Sequence, residues 1–160
     1  NKKESIKLEI GLRFNPILPA VTKKVNHKFL HPFTKEPLFD GGSVSCLSIK
    51  ELVAEKMRAA ATREMIAGRD FYDLGYLLKE KFDFEDKELL ALFKKKLEED
   101  NFSSDLKKCR VNLSRTDKEI EGMKVRVKDE LFPVLTIDEQ KSFDMQKTLD
   151  KLNGVLKGIE

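Results

Sequence analysis

The sequence predicts an α+β protein in which a small N-terminal β-sheet remnant is followed by a mostly helical bundle. Apolar and polar residues alternate strictly over residues 5–14, which is typical of a half-buried β-strand. Prolines and a glycine pair interrupt residues 15–42, and from residue 48 onward apolar residues recur at helical spacing. We therefore divide the chain into a sheet region, residues 1–47, and a helical region, residues 48–160.

The strand predicted over residues 5–14 has one apolar face and one polar face. Its apolar residues are Ile6, Leu8, Ile10, Leu12 and Phe14, and the residues between them are Lys7, Glu9, Gly11 and Arg13. One or two shorter strands are expected before residue 48, and residues 44–47 are the better candidate. Because the chain starts at Asn1 and enters a strand pattern within a few residues, we expect it to be a fragment of a longer protein.

The predicted helices have start and stop signals. Ser48 followed by Glu51 is a capping box, so the first helix is expected over residues 49–67, with Gly68 ending it. The second helix is expected over residues 69–81. Later helices are expected to begin at Asp86, at Ser103 or Ser104, at Ser114 and at Asp138, the last one running toward Leu156.

The composition is that of a globular cytoplasmic protein. Of the 160 residues, 37% are charged and 40% are hydrophobic, and the net charge of +3 is too small to indicate nucleic-acid binding by itself. The sequence has no secretory signal and no apolar run long enough to span a membrane. Cys46 and Cys109 match no metal or redox spacing, so we expect unpaired thiols in a reducing compartment.

Charged residues in the first two predicted helices form the most informative pattern in the chain. Lys56 and Arg63 are seven residues apart with alanines between them, so a helix places both cations on one face with room for a phosphate. Asp70 and Asp73 follow at the start of the second helix, where the helix dipole stabilises negative charge. Spacing alone favours an ordinary solvated helix face for these four residues.

The same residues carry a family resemblance. The pattern E-K-x-x-A-x-x-x-R followed by R-D-x-x-D-L resembles the third motif of AbiEii/AbiGii nucleotidyltransferase toxins. It is matched here by Glu55, Lys56, Ala59 and Arg63, and then by Arg69, Asp70, Asp73 and Leu74. The close match covers about a fifth of the chain.

The resemblance implies a function and a set of roles. The intact parent is expected to transfer a nucleotide from an NTP to an acceptor such as tRNA, using Mg²⁺, in toxin–antitoxin or phage-defence systems, with an antitoxin as a further partner. The expected roles are catalysis by Lys56 and Asp70, nucleotide binding by Lys56 and Arg63, structural support by Arg69 and Asp73, and metal binding by Glu9.

The first motif of that family, a Gly-Ser turn followed by Asp-x-Asp, is missing from the chain. Gly42 and Ser43 form a Gly-Ser pair, but no Asp-x-Asp follows them and they come after Glu9 rather than before it. Two metal ions need several oxygen ligands, which Glu9 alone cannot supply. We therefore expect a C-terminal portion that is inactive alone and binds no cofactor tightly.

Other patterns leave a rival function open. A non-catalytic helical module could bind RNA or protein through basic clusters, namely Lys94, Lys95 and Lys96, and Lys107, Lys108 and Arg110. His27 and His31 have a metal-compatible spacing but no second ligand pair, so zinc is disfavoured. The stripe of Phe82, Phe84, Phe93 and Phe102 is expected in the core. The enzyme hypothesis requires Glu9, Lys56 and Asp70 to converge.

Overall fold

The computed structural model describes residues 15–27, 29–63, 67–101 and 116–157. Within these residues the chain forms a two-stranded antiparallel sheet, six α-helices and one 3-10 turn. The elements are β1 (Val21–Lys24), β2 (Ser43–Cys46), α1 (Ile49–Thr62), α2 (Gly68–Lys79), α3 (Lys87–Glu99), α4 (Asp117–Glu130), the 3-10 turn (Phe132–Val134), α5 (Ile137–Ser142) and α6 (Met145–Lys157). The predicted α+β, mostly helical fold is confirmed. The strand predicted over residues 5–14 lies outside the described residues.

The two strands form a hairpin with a long connection. Val21 pairs with Cys46 and Lys24 pairs with Ser43, so the predicted strand at residues 44–47 is confirmed with its start one residue earlier. The histidines lie in the connection between the strands. The His27 ring stacks on Phe39 with ring centroids 4.3 Å apart, and His31 Nδ1 accepts backbone N–H groups of the turn that follows it. Both rings are therefore held by local contacts.

Helix α1 begins with half of the predicted capping box. The Ser48 hydroxyl accepts the backbone N–H of Glu51 at 3.2 Å, as expected. The Glu51 carboxylate does not return to the Ser48 backbone. It accepts the backbone N–H groups of Ile17 and Leu18 at 2.7 and 2.9 Å and is fully buried. Glu51 therefore joins the segment before the hairpin to the helical bundle.

The predicted boundary between the first two helices was wrong. Helix α1 ends at Thr62, because Arg63 has an extended backbone with ψ of 124°. Gly68 does not stop that helix but is the first residue of α2. A Cβ atom on Gly68 would lie 2.5 Å from Val127 Cγ2, so the glycine allows close packing of α2 against α4. The glycine that was predicted to end the first helix is therefore present because the tertiary packing of α2 against α4 requires it.

The later helices follow their capping residues. Asp86 accepts the backbone N–H of Leu89 at 2.8 Å, so its predicted role as the cap of α3 is confirmed. Helix α4 begins with a capping box of Thr116 and Glu119, and the starts predicted at Ser103, Ser104 and Ser114 lie outside the described residues. The single helix predicted from Asp138 was wrong: α5 ends at Ser142, and Phe143 has an extended backbone. At this break the Phe143 ring packs edge-on against Tyr72, at a centroid distance of 5.2 Å.

The core lies between α1 and α3 on one side and between α2, α4 and α6 on the other. Phe84 and Phe93 are buried in it as predicted, Phe82 packs against it, and Phe102 lies outside the described residues. The largest fully buried apolar side chains are Phe71, Phe93, Leu74, Leu89, Leu97, Leu149, Leu152 and Leu156.

A buried ion pair connects α1 to α3. Lys96 Nζ lies 2.9 Å from Glu51 Oε1, and the lysine side chain is only 3% exposed. Glu55 and Glu99 also contact this ammonium, at 3.1 and 3.3 Å. The prediction that residues 94–96 form a basic surface cluster was therefore wrong for Lys96, because its buried ammonium group cannot reach a ligand.

The environment of Glu51 favours its charged form. Burial raises the pKa of Glu51, but the two backbone N–H groups and Lys96 outweigh burial and hold the pKa below its usual 4.5. Since the folded-state pKa is the lower one, this carboxylate contributes stability that is present above about pH 4.5 and is lost as the pH falls through the folded-state value.

Replacing Gly68 with alanine is expected to lower the free energy of unfolding by about 1–3 kcal/mol, because the new Cβ atom must displace the buried Val127. Gly122 in α4 is the matched control. A Cβ atom there meets nothing within 4 Å, so Gly122→Ala should stabilise the protein by about 0.5–1 kcal/mol. Urea unfolding of both variants measures the difference. Equal stability of the two variants would contradict the close contact.

Replacing Glu51 with glutamine is expected to cost about 3 kcal/mol near neutral pH, because a buried ammonium loses its closest partner. The free-energy gap between the parent and Glu51→Gln should then narrow as the pH falls below about 4.5, since only the parent loses a charged carboxylate. Urea unfolding at a series of pH values measures that gap. A gap that stays constant down to about pH 3 would refute the buried charged pair.

Candidate functional site

A cluster of two cations and two carboxylates lies where α1 meets the start of α2. Lys56 Nζ is 3.3 Å from Asp70 Oδ1 and 2.6 Å from Asp73 Oδ2. The two aspartates are three residues apart on α2, so both face the same side of α1. Lys56 therefore lies between two acids that are fourteen and seventeen residues later in the sequence.

Arg63 supplies the second cation of the cluster. Its guanidinium nitrogen lies 2.9 Å from Asp70 Oδ2, and its side chain is 40% exposed. Because Arg63 follows the last residue of α1 with an extended backbone, its side chain reaches Asp70 from a position off the helix axis. Asp70 thus has one carboxylate oxygen against each cation.

Asp70 is the most buried member of the cluster. Its side chain is 3% exposed, compared with 25% for Lys56 and 45% for Asp73. Oδ2 accepts no hydrogen bond from the described residues, although the Arg63 nitrogen is close, because the N–H is not aligned with that oxygen. This buried oxygen therefore keeps the capacity to accept a hydrogen bond from a ligand or from a reoriented Arg63.

The alanines between the two cations have a packing role. Ala59 and Ala60 are 4% and 3% exposed, so they face the protein interior and do not line an open space beside the cations. Their small side chains let α1 approach the neighbouring helices. The cation positions are thus fixed by a closely packed helix.

The cluster has no net charge, and one partly exposed cation lies on each side of Asp70. Two positive groups face two negative groups, and Asp70 lies in the first turn of α2, where the helix dipole favours an anion. Lys56 and Arg63 are both partly exposed. A phosphate could contact both cations while Asp70 holds their positions.

The structure does not bring every predicted site residue together. Arg69 is exposed and makes no ion pair with a residue of the described ranges. Asp73, which was expected to act with Arg69, contacts Lys56. Glu9 lies outside the described residues. The i, i+3 spacing of Asp70 and Asp73 indicated that both carboxylates lie on one side of α2. The sequence did not indicate that Lys56 contacts both of them, because that depends on how α1 packs against α2.

No group of three or more potential metal ligands is present in the part of the chain that the structure describes. None of the described helices is long and apolar enough to cross a membrane.

Comparison with known proteins gives one match. A family model described as "Nucleotidyl transferase AbiEii toxin, Type IV TA system" matches residues 1–154 of the chain. No curated protein and no solved structure matches.

Double-mutant cycles should show that burial, and not distance, decides which acid couples more strongly to Lys56. With Lys56→Met and Asp70→Asn, the coupling free energy is expected to be about 1–3 kcal/mol, because the contact is desolvated. With Lys56→Met and Asp73→Asn, it should stay below about 1 kcal/mol despite the shorter distance, because water screens the half-exposed Asp73. Urea unfolding provides the free energies. A larger coupling to Asp73 would disprove this order.

Proposed function

The chain belongs to the AbiEii family of nucleotidyl transferase toxins of type IV toxin–antitoxin systems, and on this premise we propose that it is the C-terminal portion of an enzyme that transfers a nucleotide from an NTP to an acceptor hydroxyl. One observation carries the proposal. Two partly exposed cations, Lys56 in α1 and Arg63 directly after it, meet a buried carboxylate from α2, and preorganised cations of this kind can stabilise a triphosphate.

In the proposed reaction the acceptor oxygen forms a bond to the α-phosphorus of the NTP. The bond between that phosphorus and the bridging oxygen breaks, pyrophosphate leaves with the electron pair, and the hydroxyl proton is released. Negative charge therefore grows on the leaving pyrophosphate. Lys56 would contact the triphosphate in place of Asp73 and stabilise that charge, as preorganised cations do in phosphoryl transfer.

Asp70 would keep Lys56 in place when Asp73 is displaced. Its burial makes it the stronger anchor, and its free acceptor on Oδ2 could also orient the acceptor hydroxyl. Arg63 would assist phosphate binding from the other side of the same carboxylate. Arg69 is proposed to support the junction between the two helices, and Asp73 would do so through Lys56 until the nucleotide binds.

The described residues do not fit a magnesium site. Asp70 and Asp73 are both committed to cations, and no third oxygen ligand is grouped with them in the described ranges. Glu9, which lies outside those ranges, is proposed as one metal ligand. The other ligands would come from an Asp-x-Asp pair, which these 160 residues do not contain.

The remaining parts of the proposal concern partners. The acceptor is proposed to be the end of a tRNA or another RNA in the cytoplasm, and the biological outcome to be growth arrest or phage defence. A cognate antitoxin is the proposed protein partner. The 160 residues alone are proposed to be inactive and to bind NTP and Mg²⁺ only weakly.

The rival function, a non-catalytic binding module, is less well supported by the described contacts. In its first basic cluster only Lys94 and Lys95 can contact a ligand, because Lys96 is buried in ion pairs with acids of α1 and α3. Its second cluster, residues 107–110, lies outside the described residues.

We expect Lys56→Ala to lower nucleotide transfer by about 100-fold or more in a protein that joins this chain to an upstream segment with the Gly-Ser and Asp-x-Asp motifs, because a preorganised cation at the triphosphate is lost. Transfer of a labelled nucleotide to RNA measures the rate. Lys50→Ala is the matched control, since Lys50 is on the same helix but pairs with Asp86 and Glu88, and its rate should change little. Unchanged transfer by the Lys56 variant would defeat the proposal.

A further inference from the structure

A groove between α2 and the α5–α6 region lies on another face of α2 from the cation cluster. It has a volume of about 390 Å³, which is within the usual range for small-molecule and nucleotide sites. Its lining combines two kinds of side chain: the aromatic rings of Tyr72 and Tyr76, and the ammonium groups of Lys79, Lys81, Lys147 and Lys151. Nothing in the proposed transfer reaction uses these six residues.

The floor of the groove is formed by a close contact between helices. A Cβ atom on Gly75 would lie 2.7 Å from Thr148 Oγ1 and 3.1 Å from Phe143 Cε2, so α2 approaches α6 as closely as a glycine permits. Tyr72 packs edge-on against Phe143 at the same level. Closely packed side chains of α2, α6 and Phe143 therefore fix the floor of the groove.

The groove has an excess of positive charge, because four lysines and only two acids line it. Two acids also line it, but Glu139 accepts the Thr136 backbone N–H at 2.8 Å and Asp144 accepts the Lys147 backbone N–H at 3.0 Å. Both acids thus act in backbone hydrogen bonds at helix starts. None of the four lysines lies within ion-pair distance of a carboxylate of the described ranges, in contrast to Lys56 and Lys96, although Glu139 and Lys79 attract each other electrostatically.

The two tyrosines supply flat surfaces beside these cations. The Tyr76 residue is 53% exposed, so part of its side chain is accessible to a ligand. Burial, followed by the nearby Glu139 and Asp73, raises the pKa of Tyr72, so its phenol stays neutral beside an anionic ligand. Neutral rings next to ammonium groups match the alternation of bases and phosphates in a single strand.

We propose that this groove binds a single-stranded nucleic-acid end, with bases stacked on Tyr72 and Tyr76 and phosphates contacting the four lysines. Tyr72 and Asp73 are consecutive residues of α2, and they face the groove and the Lys56–Asp70 cluster respectively, so the two regions share one turn of the helix. That proximity makes the strand the acceptor of the transferred nucleotide. This last step rests on the proposed function, whereas the binding itself does not.

Fluorescence anisotropy of the 160-residue chain with a labelled single-stranded RNA oligonucleotide, without NTP, tests the binding. Lys147→Ala/Lys151→Ala removes two exposed groove lysines, and Lys94→Ala/Lys95→Ala removes the same charge from α3 as the matched control. The groove variant is expected to bind about tenfold or more weakly, with the log–log salt slope reduced by about 1.4, while the control changes less than about threefold.

Tyr76→Ala tests the stacking contribution separately. Its affinity should fall at least about fivefold with the salt slope unchanged, because a stacking surface is lost without loss of charge. Circular dichroism melting of all variants verifies that these exposed substitutions leave the fold intact. DNA of the same sequence is a second probe. Tighter binding of RNA assigns a role to the ribose 2′-hydroxyl, and equal binding supports recognition through bases and phosphates alone.

Four results would overturn the groove proposal: no binding by the parent chain at low salt, normal binding by the groove variants, equal weakening in the groove and control variants, or weakening in the Lys94/Lys95 variant alone. The last result would favour the rival binding module. Lys56→Ala separates this inference from the proposed function, because it should abolish transfer in the joined protein while leaving oligonucleotide affinity unchanged. Loss of transfer in Lys56→Ala together with normal RNA binding by the groove variants would refute the groove proposal but not the proposed enzyme function.

Discussion

The arrangement of the site depends on one buried carboxylate. Asp70 is almost fully enclosed at the start of α2, and a charge in that position costs several kcal/mol unless cations accompany it. Lys56 from within α1 and Arg63 from the residue after it supply the compensation on opposite oxygens. The same requirement that stabilises the helix junction therefore holds the two cations of the proposed triphosphate site on either side of Asp70.

A second buried acid fixes the helix that carries these cations. Glu51 binds Lys96 from α3 and the backbone of residues 17 and 18, so α1 is joined to the rest of the bundle near its first turn. Helix α2 is shared in turn between the Asp70 cluster and the tyrosine–lysine groove. Two adjacent residues, Tyr72 and Asp73, face the two regions, which is why a strand held in one could present its end to the other.

Sequence patterns predicted the features that depend on interactions between residues close together in the chain. The cap at Asp86 followed from the sequence. The placement of Lys56 and Arg63 on one helix face was wrong, because α1 ends at Thr62 and Arg63 has an extended backbone. The role of Gly68 did not follow from the sequence either, because the glycine is required by Val127, far along the chain. The identity of the buried lysine among residues 94–96 and the groove between α2 and α6 depend on helix crossings, which spacing does not encode. Family resemblance supplied the chemistry that geometry alone left open.

The most direct test of the Lys56–Asp70 cluster is nitrogen-15 NMR of the lysine ammonium groups during titration with an NTP up to about 10 mM, which detects even a millimolar Kd. The account predicts that the Lys56 Nζ resonance shifts progressively and saturates as phosphate replaces Asp73, while Lys50, paired with Asp86 and Glu88, stays unchanged. A Lys56 resonance that does not move while other lysines respond to the nucleotide would contradict the assignment of this cluster as the triphosphate site.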